Sequence, residues 1–256
     1  MSNTFIESFK FIGDNHAYIL NRLYSHLEIA GVAMGIALAI GLPIGLLLGH
    51  VHRFSFLAIN ISNLGRALPS VGILALFLPV VGVGVTDVII ALVILAFPPI
   101  LTNTYVAVDQ VDVDTVDAAR GLGLRGWQVL TKVELPLALP LIFAGIRTST
   151  VFAIATATLA GFFGGGGLGD IIANQASFKL QGVLGATYVL IALAFVSQLV
   201  FLAIERAVTP AGLKINQRRN RFRSRPGSEV IINQDGGEAV EDEISDVASS
   251  PEPATR

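Results

Sequence analysis

Few residues of this chain could do chemistry, and the familiar constellations are missing. No cysteine occurs, which removes thiolate nucleophiles, disulfides and thiolate metal sites while leaving the compartment open. The four histidines include no His-x-x-x-His pair, so they give no metal signal. The glycine-rich run at 164–169 invites a phosphate-loop reading, but it lacks the Gly-Lys-Ser/Thr ending that would grip phosphate and magnesium. What remains is a handful of polar groups in otherwise apolar sequence: Arg66, Pro69 beside it, Arg147, Thr148, Thr156 and Thr158. To these is added one polar loop at 112–136. Ionisable groups at membrane depth are costly and face a bundle interior or a water-filled path. The chemistry on offer is therefore helix pinning and packing or, alternatively, the lining of a polar path inside apolar walls.

The elements that must position these groups are membrane spans. Of the 256 residues, 53% are hydrophobic and only 14% charged, against about 25% charged in soluble domains. Five apolar stretches can cross a hydrocarbon layer about 30 Å thick: 27–49, a stretch within 54–83, 85–108, 135–163 and 183–204. Backbone groups in lipid must be bonded internally, so these are helices. They lack the alternating polarity of barrel strands. The expected fold is all-α and polytopic, with a transmembrane domain at 27–207. Residues 1–26 lack the pattern of a signal peptide and are read as a retained N-terminal segment, extracytoplasmic or interfacial.

Lysine and arginine placement sets the expected orientation. Arg53 follows the first stretch, and Arg120, Arg125 and Lys132 lie between the third and fourth. Arg206, Lys214 and five arginines between 218 and 225 follow the fifth. With five spans these regions share one side, the cytoplasmic one, and the N-terminus lies outside. The second stretch could instead be split or re-entrant near 64–69. The segment 208–225 reads as a basic juxtamembrane anchor near anionic headgroups, with charge sensing as the alternative. Residues 226–256 read as an acidic, disordered tail.

Gly31, Gly35, Gly41, Gly45 and Gly49 set small residues at helical spacing on the first stretch, which lets helices approach closely. For Arg66, snorkelling to the interface competes with lining a path. For Arg147, pinning helices competes with lining a gate. No Asp or Glu occurs in 29–86, 88–108, 135–169 or 171–204, so the partners of these arginines are carbonyls, water, loop acids or another subunit. The same lack of acids argues against an ion-coupled secondary transporter, which places Asp, Glu or His at membrane depth. Thr148, Thr156 and Thr158 serve helix packing or line a polar path.

The most informative segment is the loop 112–136. Asp114 is a good helix N-cap, with Asp117 three residues on, where a carboxylate favours a helix N-terminus. Ala118 and Ala119 are small helix formers. Gly121 and Gly123 end the helix and allow a tight turn. Residues 125–133 can form a second short helix presenting Trp127 and Leu130, and Pro136 suits the first turn of the next span. The pattern predicts a helix–turn–helix elbow fixed at both ends to membrane helices.

Here the sequence resembles the permease subunits of binding-protein-dependent ABC importers. They carry Glu-Ala-Ala, three residues, Gly, nine residues, then Ile-x-Leu-Pro. Asp117, Ala118, Ala119, Gly123, Val133, Leu135 and Pro136 occupy that pattern at full spacing, with Asp for Glu and Val for Ile. A finer resemblance spans about 27–207. It rests on Gly-Arg-Ala-Leu-Pro-Ser at 65–70, Val-Glu-Leu-Pro-Leu-Ala-Leu-Pro at 133–140, Ala-Gly-Ile-Arg-Thr at 144–148, Ala-Thr-Ala-Thr-Leu at 155–159 and Gly-Gly-Gly-Gly-Leu-Gly-Asp at 164–170. These strings look like the osmoprotectant branch, which imports glycine betaine, carnitine, choline or proline betaine.

The resemblance implies a MetI-like permease architecture in the inner membrane and no enzymatic activity on this chain. The loop becomes the coupling element, with Asp117, Ala118, Ala119, Gly123, Trp127, Val133, Leu135 and Pro136 as its residues. Asp117 either touches the ATPase or only caps its helix. ATP and magnesium belong to a partner ATPase, and an extracytoplasmic protein binds the solute. A second permease copy or a paralogue completes the pathway among membrane lipids, and no nucleic acid is expected. Another small solute, such as an amino acid or sulfonate, is the nearest alternative. An ion-coupled transporter or a non-transporting scaffold would be the more distant ones.

Overall fold

The computed structural model describes residues 2–52 and 67–209, together with Phe56 and Asn60. Every regular element among them is helical. In chain order they are α1 (Ser2–Asp14), α2 (His16–Val51), α3 (Ser70–Val81), α4 (Val85–Asp109), α5 (Val113–Gly121), α6 (Gly126–Val129), α7 (Leu135–Ala157), α8 (Gly169–Ala173) and α9 (Gln175–Val208). A π turn at Leu130–Glu134 joins α6 to α7, and a 3-10 turn at Thr158–Phe163 extends α7.

Four helical runs are long and apolar enough to cross a membrane: His16–Val51, Val85–Asp109, Gly126–Phe163 and Gln175–Val208. About 20 residues suffice at 1.5 Å per residue. The 36 residues of α2 therefore reach well past the hydrocarbon. The apolar α3 is shorter, at 12 residues. It falls in the expected second span, most of whose first part, including Arg66, lies outside the described residues. So do the residues from 210 onward, with most of the basic segment and all of the acidic tail.

The first long helix starts at His16, well ahead of the expected 27. Arg22 and Glu28 end the apolar window, but a charged side chain limits burial in lipid, not helical backbone angles. The N-terminal segment is thus helical on both sides of a single turn residue, Asn15. Its α1 packs on α9, where Phe9 stacks on Tyr188 with ring centroids 5.4 Å apart.

The core forms where α2 crosses α4. A Cβ on Gly41 would lie 2.9 Å from Ile100 Cγ2. One on Gly45 would lie 2.7 Å from Thr104 Cβ, and one on Gly49 2.7 Å from Val108 Cβ. The three glycines form a groove at i, i+4 and i+8, and α4 lies in it. Gly31 and Gly35 share the spacing, yet among the described residues no neighbouring element comes within 4 Å of a Cβ built there. Further along, Ile29, Ala33, Ile73, Leu74, Val88, Leu92 and Ile154 close a second core that joins α2, α3, α4 and α7. In α9 the helix breaks at Lys179, where φ is 54°.

Candidate functional site

The loop between α4 and α7 folds as an elbow with a small core of its own. Val111, Val116, Ala119 and Val129 are buried together, with Leu124 and Val133 packed against them. The cap of α5 is Asp112, whose carboxylate accepts from the Asp114 N–H at 2.8 Å. The expected cap, Asp114, is instead in the first turn. Both are aspartates two residues apart, and the helix starts at the earlier one because Val111 is drawn into the core.

After α5 the chain reverses at Gly123, where φ is +86°, a left-handed conformation that costs other residues about 1–2 kcal/mol. The Gly123 N–H donates to Arg120 O at 2.9 Å, and the Leu124 N–H to Ala119 O at 3.2 Å. Gln128 Oε1 then accepts from the Arg125 N–H at 2.9 Å, closing the first turn of α6.

The elbow divides the sequence-derived residues into two sets. Ala119, Gly123 and Val133 build it: they are buried, turned or packed inward. Asp117, Ala118 and Trp127 face outward, and Trp127 is 69% exposed. Asp117 pairs with Arg120 at 3.5 Å, but both side chains are at least half exposed, so the pair contributes little. Leu135 and Pro136 are half-buried at the root of α7. Leu122, 82% exposed beside the turn, extends the apolar outward surface; the motif spacing did not single it out. The expected second helix is present but not separate. α6 runs through the π turn into α7 without a break, so Leu130 is buried rather than presented.

Two histidines at the end of α2 reach the elbow. His50 Nδ1 donates to Glu134 Oε2 at 2.7 Å, and Glu134 is fully buried. His52 Nδ1 lies 3.0 Å from Asp109 Oδ1 at the end of α4. No spacing rule links these residues in sequence; the packing of α2 against both α4 and α7 brings them together.

The pathway residues are dispersed. Arg147 on α7 pairs with Glu205 on α9, 3.2 Å apart, each about a fifth exposed. Its partner was missed because Glu205 lies one residue past the last acid-free run, yet still inside the helix. Thr148 is exposed and its Oγ1 donates to Ala144 O at 2.9 Å. Thr156 is half-buried, and the Thr158 hydroxyl is buried without a partner among the described residues. Pro69 is exposed ahead of α3 and accepts from the Ile73 N–H at 3.1 Å. Among the described residues, each of these groups bonds within its own helix or to Glu205 or is left without a partner, and no side chain among them bonds to another.

At the far end of α7, Gly164, Gly166 and Gly167 all have positive φ. The backbones of Gly161 and Gly169 touch, leaving no room for a Cβ on either. Arg22 pairs with Asp170 at 2.8 Å beside this turn and lies over the Tyr18 ring. The buried His26 Nε2 is 2.9 Å from Ile154 O. The corner is close-packed at Gly161 and Gly169, which serve backbone approach, while Gly164 and Gly166 border a cavity beside Arg22 and Asp170.

Long apolar helices, a tightly packed bundle and a polar elbow with an outward apolar face describe a polytopic all-helical membrane protein. Residues 41–210 match the family model described as binding-protein-dependent transport system inner membrane component. The chain belongs to that family, the permease subunits of ABC importers. It is a multi-pass inner-membrane protein and not itself an enzyme. ATP is hydrolysed on a partner ATPase, and a binding protein is the other partner.

Among curated relatives, the chain is 37% identical over 205 residues to the glycine betaine/carnitine/choline transport system permease protein OpuCB of Bacillus subtilis, covering 80% of this chain and 94% of that one. It is 32% identical over 214 residues to OpuCD, a permease protein of the same named system and organism, covering 83% and 92%. In fold it resembles a chain of the MetNI methionine ABC transporter in inward-facing form, with a TM-score of 0.67 at 24% identity over 75% of this chain and 97% of that one.

Proposed function

We propose that the chain forms the translocation pathway of an importer for small osmoprotectants: glycine betaine, carnitine, choline or proline betaine. The observation that carries this reading is the 37% identity to OpuCB across 94% of that protein. The chain partners a second copy or a paralogue. Its matches to both OpuCB and OpuCD support a paired arrangement. So does α7, where Leu141, Thr148, Phe152 and Ala155 are exposed along a single helical face.

In this reading the elbow lies on the cytoplasmic side and the N-terminus outside, as the lysine and arginine placement indicates. The ATPase grips Asp117, Ala118, Leu122 and Trp127, while Ala119, Gly123 and Val133 keep the elbow rigid and Leu135 and Pro136 root it in α7. ATP-driven closure of two ATPase subunits shifts two elbows, and the bundles rock between outward and inward access. The coupling is a free energy between distant sites, carried by a two-state element. Arg147, Thr148, Thr156, Thr158, Pro69 and Arg66 are the pathway and gate positions of the transmembrane domain at 27–207. The segments 1–26, 208–225 and 226–256 flank it as the outer, juxtamembrane and tail regions.

The test is reconstitution of the complex with its ATPase and binding protein in vesicles. ATP-dependent uptake of labelled glycine betaine or choline that persists after ion gradients are collapsed is expected. Uptake confined to methionine, another amino acid or sulfonates would overturn the substrate class.

A further inference from the structure

The elbow is attached by the covalent chain to two helices, α4 at Asp109 and α7 beyond Glu134. Both feet are also held by the end of a third helix. His52 lies 3.0 Å from Asp109 and His50 2.7 Å from Glu134. The two contacts differ in weight. His52 and Asp109 are each more than a third exposed, so solvent screens them and the pair contributes little. Glu134 is fully buried, and its second oxygen, Oε1, has no partner among the described residues. A buried carboxylate that loses its sole donor cannot recover a bond from water, so breaking this contact is costly.

His50 is also held sterically. Its Nε2 would lie 3.4 Å from a Cβ on Gly126, so the imidazole rests on the first turn of α6. Next to it in sequence, Gly49 lies against Val108 and the carbonyl of Tyr105. One ring therefore meets the start of the elbow's second helix, the π turn and, through its own helix, α4.

We propose that His50 is a positioning residue for coupling: with Glu134 it pins the elbow to α2, so that a displacement of the elbow moves α2 along with α4 and α7. This rests on the assignment of the elbow as the ATPase-coupling element. The mechanical consequence is that the α2–α4 pair, already locked by its glycine groove, follows the elbow as one body. Without the pin the elbow could tilt at the π turn while α2 stayed in place, and ATP would be spent without transport.

The experiment uses the full complex with its ATPase and binding protein in vesicles, with labelled glycine betaine as the probe. His50→Ala is expected to lower uptake per ATP hydrolysed about tenfold, with hydrolysis and the yield of assembled complex near those of the unchanged protein. His50→Asn, whose amide N–H falls close to the place of Nδ1, is expected to restore most of the uptake. Glu134→Leu removes the acceptor at similar volume without leaving a buried charge, and serves if His50→Ala fails to assemble; the same loss of uptake per ATP is expected. An assembled variant with unchanged uptake per ATP overturns the inference. So does a parallel fall of uptake and hydrolysis that His50→Asn does not rescue, because that pattern marks a merely structural role. Absence of ATP-driven uptake by the unchanged complex overturns the functional reading and this inference together. Normal uptake with unaffected variants overturns the inference alone.

Discussion

The two ends of α7 use glycine in opposite ways. At the elbow, Gly123 takes a positive φ, and no atom of the described residues beyond its chain neighbours lies within 4 Å of the Cβ it lacks. The turn is open, and large apolar side chains, Leu122 and Trp127, stand out from it. At the other end, three glycines take positive φ and two more, Gly161 and Gly169, bring their backbones into contact. Leu168 and Ile171 are fully buried there. One end is a free surface on a small rigid frame; the other is a corner closed where Gly161 meets Gly169. The difference teaches that a glycine-rich string does not by itself mark a mobile or ligand-binding loop. What matters is whether the space beside each Cα is empty or filled by another backbone.

That contrast can be broken most sharply at the corner. Gly161→Ala would force a Cβ into the Gly169 backbone, which no rotamer change relieves. A cost of about 3 kcal/mol or more is expected, read as loss of monodisperse protein in detergent and a lower denaturation midpoint. A variant that folded as well as the natural chain would show that the corner is looser than the contact implies.

At the elbow the expected losses fall on the partner instead. Trp127→Ala should leave the denaturation midpoint nearly unchanged, within about 0.5 kcal/mol for an exposed site. It should weaken association with the ATPase by about 2 kcal/mol, as removal of an aromatic anchor does. Binding measured on the purified subunits distinguishes this from a stability effect, and unchanged affinity would remove Trp127 from the docking surface.

Gly123→Leu sharpens the comparison further. Open space means the cost is backbone strain alone, about 1–2 kcal/mol. Membrane insertion should persist while uptake drops about tenfold, since the turn can no longer hold α5 and α6 in register. Wild-type uptake by this variant would reject the elbow as the coupling element. The smallest effect is expected at Arg22, beside the corner. Its pair with Asp170 is nearly a third exposed, so Arg22→Ala should cost at most about 1 kcal/mol in a denaturation midpoint taken at low salt.

The helices were legible because the apolar windows are long and nearly free of charge. The elbow was legible because caps and glycines fall at fixed offsets between two spans. Boundaries were less so. Arg22 and Glu28 interrupt hydropathy without interrupting α2, and the π turn has no signature that separates it from an ordinary helical turn. The tertiary partners were hidden for a different reason. Glu205 pairs with Arg147, and His50 with Glu134, only because helix crossings bring distant positions together. A single sequence records the spacing within an element, not the angle between two.

The π turn at Leu130–Glu134 carries a geometric consequence. The Leu135 N–H donates to Leu130 O, five residues back, so this turn holds about one residue more than an α-helical turn. An added residue shifts the phase of everything beyond it by roughly 100° about the axis. The compass bearing of the Trp127 indole is therefore fixed by a wide coil at the head of the following rod. Rewinding that coil into a plain α-helical turn would swing the indole through more than a quarter circle, with no change in the sequence around it.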